Sequence, residues 1–208
     1  PEYFPEPKLQ FIPLDLEQKI AEFPVGSGIR IPLHSFFGIL GVANAEINRS
    51  SIPPRRYGGN MDNLELQPGT RLFLPVFMRG GLLSIGDGHS AQGDGEVDGT
   101  AIETSMNGTI KIILRKDLFL IFPFAETPTH IVIMGFGRNL DEAFEMAVKQ
   151  TVYWLQKFAK FKEEDAYVFS SLAVNFRITQ AVNNPQKGVH GMVRKSMLPE
   201  LPAILVGG

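Results

Sequence analysis

Between Leu83 and Glu103 the chain reads LSIGDGHSAQGDGEVDGTAIE. Five glycines (Gly86, Gly88, Gly93, Gly95, Gly99) are interleaved there with Asp87, His89, Gln92, Asp94, Glu96, Asp98 and Glu103. No regular helix or strand tolerates that spacing throughout. Glycine permits positive φ and close backbone approach, so such a stretch follows a tight path that can aim side chains inward. The four carboxylates from Asp87 to Asp98 repel one another unless something positive sits among them. A divalent cation or a shared proton relieves that repulsion. Asp-Gly and Gly-Asp pairs are also ordinary turn formers in solvated loops. Two features set this stretch apart. His89 follows Asp87 by two residues, which puts both on one face of an extended segment. Leu82, Leu83, Ile85, Val97 and Ile102 flank the polar residues and place the stretch against a core.

A length of 208 residues suits one large or two small domains. With no cysteine, there is no disulfide, no thiolate zinc site and no cysteine nucleophile; a reducing, cytoplasmic setting is expected. The net charge is −2 and no basic run exceeds Arg55-Arg56, so no nucleic-acid footprint is expected. No apolar run approaches the ~18–20 residues of a membrane helix, and no signal peptide is visible; no membrane partner is expected. The chain opens on Pro1 rather than methionine, as a processed chain or a fragment would.

Residues 1–13, with prolines at 1, 5, 7 and 13, read as extended coil. Leu14–Phe23 fits a short helix or an edge strand. Ile29–Leu33 alternates like a strand that Pro32 pushes to a sheet edge. Ser35–Ala43 is a buried apolar segment. Ser50–Asn63 is a second polar island, broken by Pro53-Pro54, that could fold beside the Asp87 stretch. Arg71–Met78 reads as a strand. Ala101–Met106 and Thr109–Leu114 flank Asn107-Gly108 as a hairpin would, and Leu118–Phe122 continues that sheet. Pro123–Pro128 is a boundary segment and Thr129–Phe136 a buried strand. Asn139, with Glu142 three residues on, resembles a capping box and opens a helix over Leu140–Phe161, with apolar residues at helical spacing. Glu163–Leu172 reads as a second helix, and Val174–Val182 and Val189–Lys195 as strands. The expected fold is mainly β, β-sandwich-like, over residues 1–125, with a C-terminal α+β region over 126–208.

Several stretches recur together in a known pattern: Gly41-Val42-Ala43-Asn44-Ala45, Arg55–Asp62 (RRYGGNMD), Leu74-Pro75-Val76, Gly86–Gly99 and Ala101-Ile102-Glu103. The set resembles the acetamidase/formamidase family, which hydrolyses short-chain amides to carboxylate and ammonia. The similarity continues past Ser170-Ser171 and covers nearly the whole chain. It implies a β-sandwich-like body with an α+β part, a homo-oligomer and an associated metal. Members usually carry several further β-strands before the position of Pro1. Ser35 stands where many have proline after the histidine matching His34. Asp98 stands where many have cysteine or another small residue.

Amide hydrolysis needs an activated water and a proton for the departing nitrogen. His89 and Asp87, joined by Asp62, are read as ligands of a divalent metal, zinc by donor type, with His34 able to contribute from another segment. Glu96, with Asp94 second in line, is read as general base and acid. Asn60 or backbone N–H groups of the glycine turns would support the oxyanion. His130 and His190 read as surface or core histidines. There is no Gly-x-Ser-x-Gly elbow, so a serine nucleophile ranks low. The rival reading is a non-catalytic, calcium-binding β-sandwich module with Asp87, Asp94, Glu96 and Asp98 as oxygen ligands. A mainly β body with open edges is expected to self-associate.

Overall fold

Asn139 starts the longest helix with its own side chain. In the computed structural model, which describes residues 6–44, 50–200 and 205, its Oδ1 accepts from Glu142 N at 2.8 Å, and the Glu142 carboxylate reaches back to Arg138 N at 3.0 Å. The first bond satisfies a donor that a helix start leaves orphaned, and the second fixes the chain entering the cap. The helix α1 (Leu140–Ala159) ends where Lys160 turns left-handed, with φ +63. Its buried stripe of Ala143, Ala147, Trp154 and Leu155 faces a sheet. Gly135 and Gly137 of that sheet have no room for a Cβ against the helix backbone, so glycine there lets helix and sheet close up. α2 (Glu163–Ala173) follows.

Eleven strands are described: β1 (Leu14–Asp15), β2 (Ile20–Glu22), β3 (Arg30–Pro32), β4 (Phe36–Gly41), β5 (Gly58–Asn60), β6 (Arg71–Phe73), β7 (Ser84–His89), β8 (Phe124–Glu126), β9 (His130–Gly137), β10 (Asn175–Gln180) and β11 (Lys187–Arg194). They form three antiparallel sheets, ordered β1-β2-β3, β5-β4-β7 and β10-β11-β9-β8-β6. The fold is therefore mainly β with an α+β part. β6 and β8 join the same sheet as β9, β10 and β11. One apolar cluster lies between this sheet and the helices, around Phe124, Ile131, Ile133, Trp154, Leu155 and Val193. A second joins Leu40 and Met61 to Ala125, Val132, Met134, Phe136 and Met192. No helix among the described residues is long and apolar enough to cross a membrane.

Leu14–Phe23 resolves as a hairpin of two short strands rather than a helix. Pro32 does sit in an edge strand. The strand expected over Arg71–Met78 stops at Phe73, two residues before Pro75, which has no N–H for a ladder. The hairpin expected over Ala101–Leu114 does not form, and Leu118–Phe122 is not a strand. Residues 102–104 are claimed by other partners: Ile102 N bonds Ala91 O and Thr104 N bonds Gly88 O. Gly108 is pressed on the Phe37 ring, so Asn107-Gly108 is not a free turn. Ile110, Ile112 and Leu114 of the expected second arm are exposed. Phe124–Glu126, inside the expected boundary segment, is strand β8. Pro1 and Pro5 of the proline-rich opening, and Ala45 of the GVANA block, lie outside the described residues.

Candidate functional site

The middle strand of the small sheet, β4, carries a glycine at its centre. The Gly38 carbonyl accepts from Met61 N at 3.1 Å and Asp62 N at 3.2 Å, folding the chain after β5 back over β4. A Cβ on Gly38 would lie 2.5 Å from Asp87 Oδ2, 3.1 Å from His89 Cε1, and closer still to Asp62 Oδ1. The missing side chain is the space on which these three groups converge, and an isolated glycine in a strand marks such close approach.

β7 supplies Asp87 and His89 as alternate residues on one face. His89 packs edge-on to Phe36, with ring centroids 5.1 Å apart. Its Nε2 lies 3.3 Å from Asp87 Oδ2, 3.3 Å from Glu103 Oε1 and 3.9 Å from Asp62 Oδ1. Its Nδ1 meets Gln92 Oε1 at 2.8 Å, while Gln92 Nε2 donates to the Asp62 carbonyl at 2.8 Å. The second bond orients the Gln92 amide, so its oxygen accepts from Nδ1–H. In the neutral imidazole the Nε2 lone pair then faces the carboxylates.

Glu103 arrives by the main-chain bonds that join 102–104 to 88–91 and set it opposite His89. Glu96 arrives from a loop pinned to β10: Gly95 N donates to Thr179 O at 3.3 Å and Ala181 N to Gly95 O at 2.9 Å. Asp62, Asp87 and Glu96 have φ of +46, +65 and +44, a left-handed backbone that non-glycine residues adopt infrequently. Backbone cost of this kind collects at functional sites, where the surrounding structure holds it in place.

Asp62 and His89 are 1% exposed and Glu96 6%, while Glu103 remains 48% exposed and gives the centre an open side. Donor atoms of Asp62, Asp87 and His89 all lie within 4.8 Å of one another, as do those of His89, Glu96 and Glu103. Burial, then the Asp62 carboxylate beside it, push Glu96 up to about 9. Burial raises Asp62 to about 6, against the opposing pull of Asn183 and His89. At neutral pH the pair therefore retains a proton.

A folded-state pKa above the unfolded one means that the native protein holds a proton which the unfolded chain has released. This stabilisation is complete below about pH 4 and is lost as pH rises through about 6 for Asp62 and about 9 for Glu96. Chelated protein should therefore melt lower at pH 9 than at pH 6, by at least about 2 kcal/mol, or roughly 4–8 °C at this chain length. Glu96→Gln, which cannot titrate, should flatten that slope in calorimetric scans; a slope unchanged by the substitution would contradict the assignment.

The donor set also fits a cation. Asp62 Oδ1 and Glu96 Oε2 are buried without a hydrogen-bond partner among the described residues. One imidazole nitrogen with several carboxylate oxygens is a donor set that divalent cations accept, and a side chain at position 38 would crowd it.

Of the residues singled out in the sequence, the structure thus brings Asp62, Asp87, His89 and Glu96 together. It does not bring in Asp94, which is 46% exposed with Oδ2 4.0 Å from Arg177 Nε. With Gly95 fixed on β10, Glu96 is buried and Asp94 faces solvent. Asn60 lies alongside rather than within either donor group; its carbonyl accepts from Asn183 Nδ2 at 3.0 Å, and its Oδ1 is buried and unpartnered among the described residues. His34 is exposed. His190 is a core histidine bonded to Thr179 Oγ1 at 2.7 Å. Asp98 is exposed and bonds Thr100 N, so the four oxygen ligands of the calcium reading are not assembled. Glu103, Gln92, Gly38 and Asn183 join the site without having been assigned roles from sequence.

The profile of the Acetamidase/Formamidase family matches residues 41–195. A formamidase of Methylophilus methylotrophus is 32% identical over 156 residues, 65% of this chain and 38% of its own length. An acetamidase of Mycolicibacterium smegmatis is 50% identical over 48 residues, 23% of this chain and 12% of its own. Among solved structures, an acetamidase from Yersinia enterocolitica superposes with a TM-score of 0.86 at 34% identity, covering 92% of this chain and 56% of its own. An acetamidase from Bacillus halodurans gives a TM-score of 0.83 at 28% identity, covering 91% and 63%. The chain thus spans less than two thirds of the length of each of these relatives.

Proposed function

The chain belongs to the acetamidase/formamidase family, and on that premise we propose that its Asp62–Asp87–His89–Glu96–Glu103 cluster takes part in hydrolysing a small amide such as formamide or acetamide. The observation that carries this reading is the buried His89 Nε2 facing carboxylates 3.3 Å away, beside two unpartnered buried carboxylate oxygens. Asp62, Asp87, His89 and Glu103 would hold a divalent cation, zinc by donor type. Such a cation, when bound, polarises an amide carbonyl and acidifies water.

The chain's own residues supply the proton traffic. Water oxygen bonds to the carbonyl carbon as one of its protons passes to Glu96, whose carboxyl ionises more readily once a cation sits on Asp62 Oδ1. The C–N bond breaks as Glu96 Oε2 delivers a proton to nitrogen, releasing the carboxylic acid and ammonia, which exchange one proton to leave as carboxylate and ammonium. Asn60 and backbone N–H groups of the glycine turns are the groups proposed to bind the amide. The cluster joining β4 to β9 and β11 supports a sandwich-like packing of the two sheets, and self-association remains part of the proposal.

The His89 side chain separates zinc from calcium. In isothermal titrations of metal-free protein, His89→Ala should lower zinc affinity at least about tenfold and leave any calcium binding unchanged. Equal zinc affinity in the variant would sink the cation assignment.

A further inference from the structure

Asn183 is remote in sequence from the Asp87 stretch and sits in the turn after β10. Its main-chain N–H donates to Gln180 Oε1 at 2.9 Å, as does that of Val182 at 2.8 Å, and Gln180 is fully buried. Held by this turn, the side-chain amide has two hydrogens and gives both away. One goes to the Asn60 carbonyl at 3.0 Å, the other to Asp62 Oδ2 in a short bond. The two oxygens of Asp62 are thereby made unequal. Oδ2 is occupied, while Oδ1 is left unpartnered beside the Gly38 gap, 3.9 Å from His89 Nε2.

We propose that Asn183 is a positioning residue of the cation site, anchoring one oxygen of Asp62 so that the other is presented as a single ligand atom; the inference rests on the cation reading of the cluster. Its physical basis is orientation. A carboxylate with no anchor can turn about its Cβ–Cγ bond and offer either oxygen, and fixing it before the cation arrives removes that disorder from the binding step. The anchoring group must be a neutral donor with its own backbone fixed, which an asparagine in a bonded turn provides. It also ties the C-terminal strand pair to the site independently of the Gly95 contact with β10.

The test is zinc titration calorimetry of the full chain, using wild type, Asn183→Ala and Asn183→Asp, with Asn183→Ala repeated in an Asp62→Ala background. Loss of the anchor should lower zinc affinity about 10–100-fold. Asn183→Asp should lose at least as much as the alanine variant, because it keeps the shape but sets an acceptor against Asp62. In the Asp62→Ala background, Asn183→Ala should change affinity by less than about twofold, since the residue it acts through is gone. A purely structural role gives the opposite pattern, with additive losses in both backgrounds and the isosteric variant milder; that outcome overturns the proposal. Melting of the chelated proteins checks folding, and Asn183→Asp carries the test if the alanine variant does not fold. Wild-type affinity in both variants overturns this inference alone. Absence of zinc binding by wild type overturns the cation reading and this inference with it.

Discussion

Glu96→Gln is expected to lower ammonia release from amide substrate by about 10²–10⁴-fold, the usual contribution of a positioned acid–base group, while zinc remains bound. Glutamine keeps the shape and bulk of the side chain, so the loop pinned at Gly95 has no reason to move. What it removes is a carboxyl that burial, and then the Asp62 carboxylate beside it, make a weaker acid than an ordinary glutamate in the metal-free protein. A carboxylic acid so placed can give its proton to a departing nitrogen, which an amide cannot do. Steady-state rates with metal content measured on the same sample check this. Near-normal turnover with zinc bound would assign the proton transfer elsewhere.

Gly38→Ala is expected to abolish cation binding and hydrolysis together. The methyl group would occupy the point where Asp62 Oδ1 and Asp87 Oδ2 converge, so at least one carboxylate must leave. Both sit on left-handed backbone and have little freedom to adjust. Overpacking of this type costs about 1–3 kcal/mol, which the fold can survive, so the variant should melt cooperatively, a few degrees lower. Zinc affinity like that of wild type would show that the convergence on Gly38 is not the binding point.

Much of the candidate site was legible because it lies in one short stretch. Asp87 and His89 two apart, with Glu96 beyond, needed only strand alternation and the electrostatics of crowded carboxylates. The GGNMD island pointed to Asp62, although the bond from Asp62 N to Gly38 O that delivers it is a tertiary fact. Glu103 lay in the same stretch but becomes a neighbour of His89 only because 102–104 returns along 88–91, the pairing that also cancelled the expected Asn107-Gly108 hairpin. Alternation in 109–114 produced no strand there, because residues 102–104 of the expected partner run bond 88–91 instead. Glu96 was placed ahead of Asp94 from sequence, and the tertiary attachment of Gly95 to Gln180 accompanies a buried Glu96 and an exposed Asp94. Asn183 left no local signal, since the role proposed for it depends on β10 lying beside the loop of Glu96. The α1 cap and helix, by contrast, follow from local chemistry and appear as expected to within two residues.

The most direct measurement is ammonia release from formamide and acetamide by protein of known zinc content, repeated after chelation and again after zinc is restored. Release that disappears on chelation and returns with zinc is the expected result. Release that persists in fully metal-free protein would contradict a cation-assisted amidohydrolase built on His89 and its carboxylates.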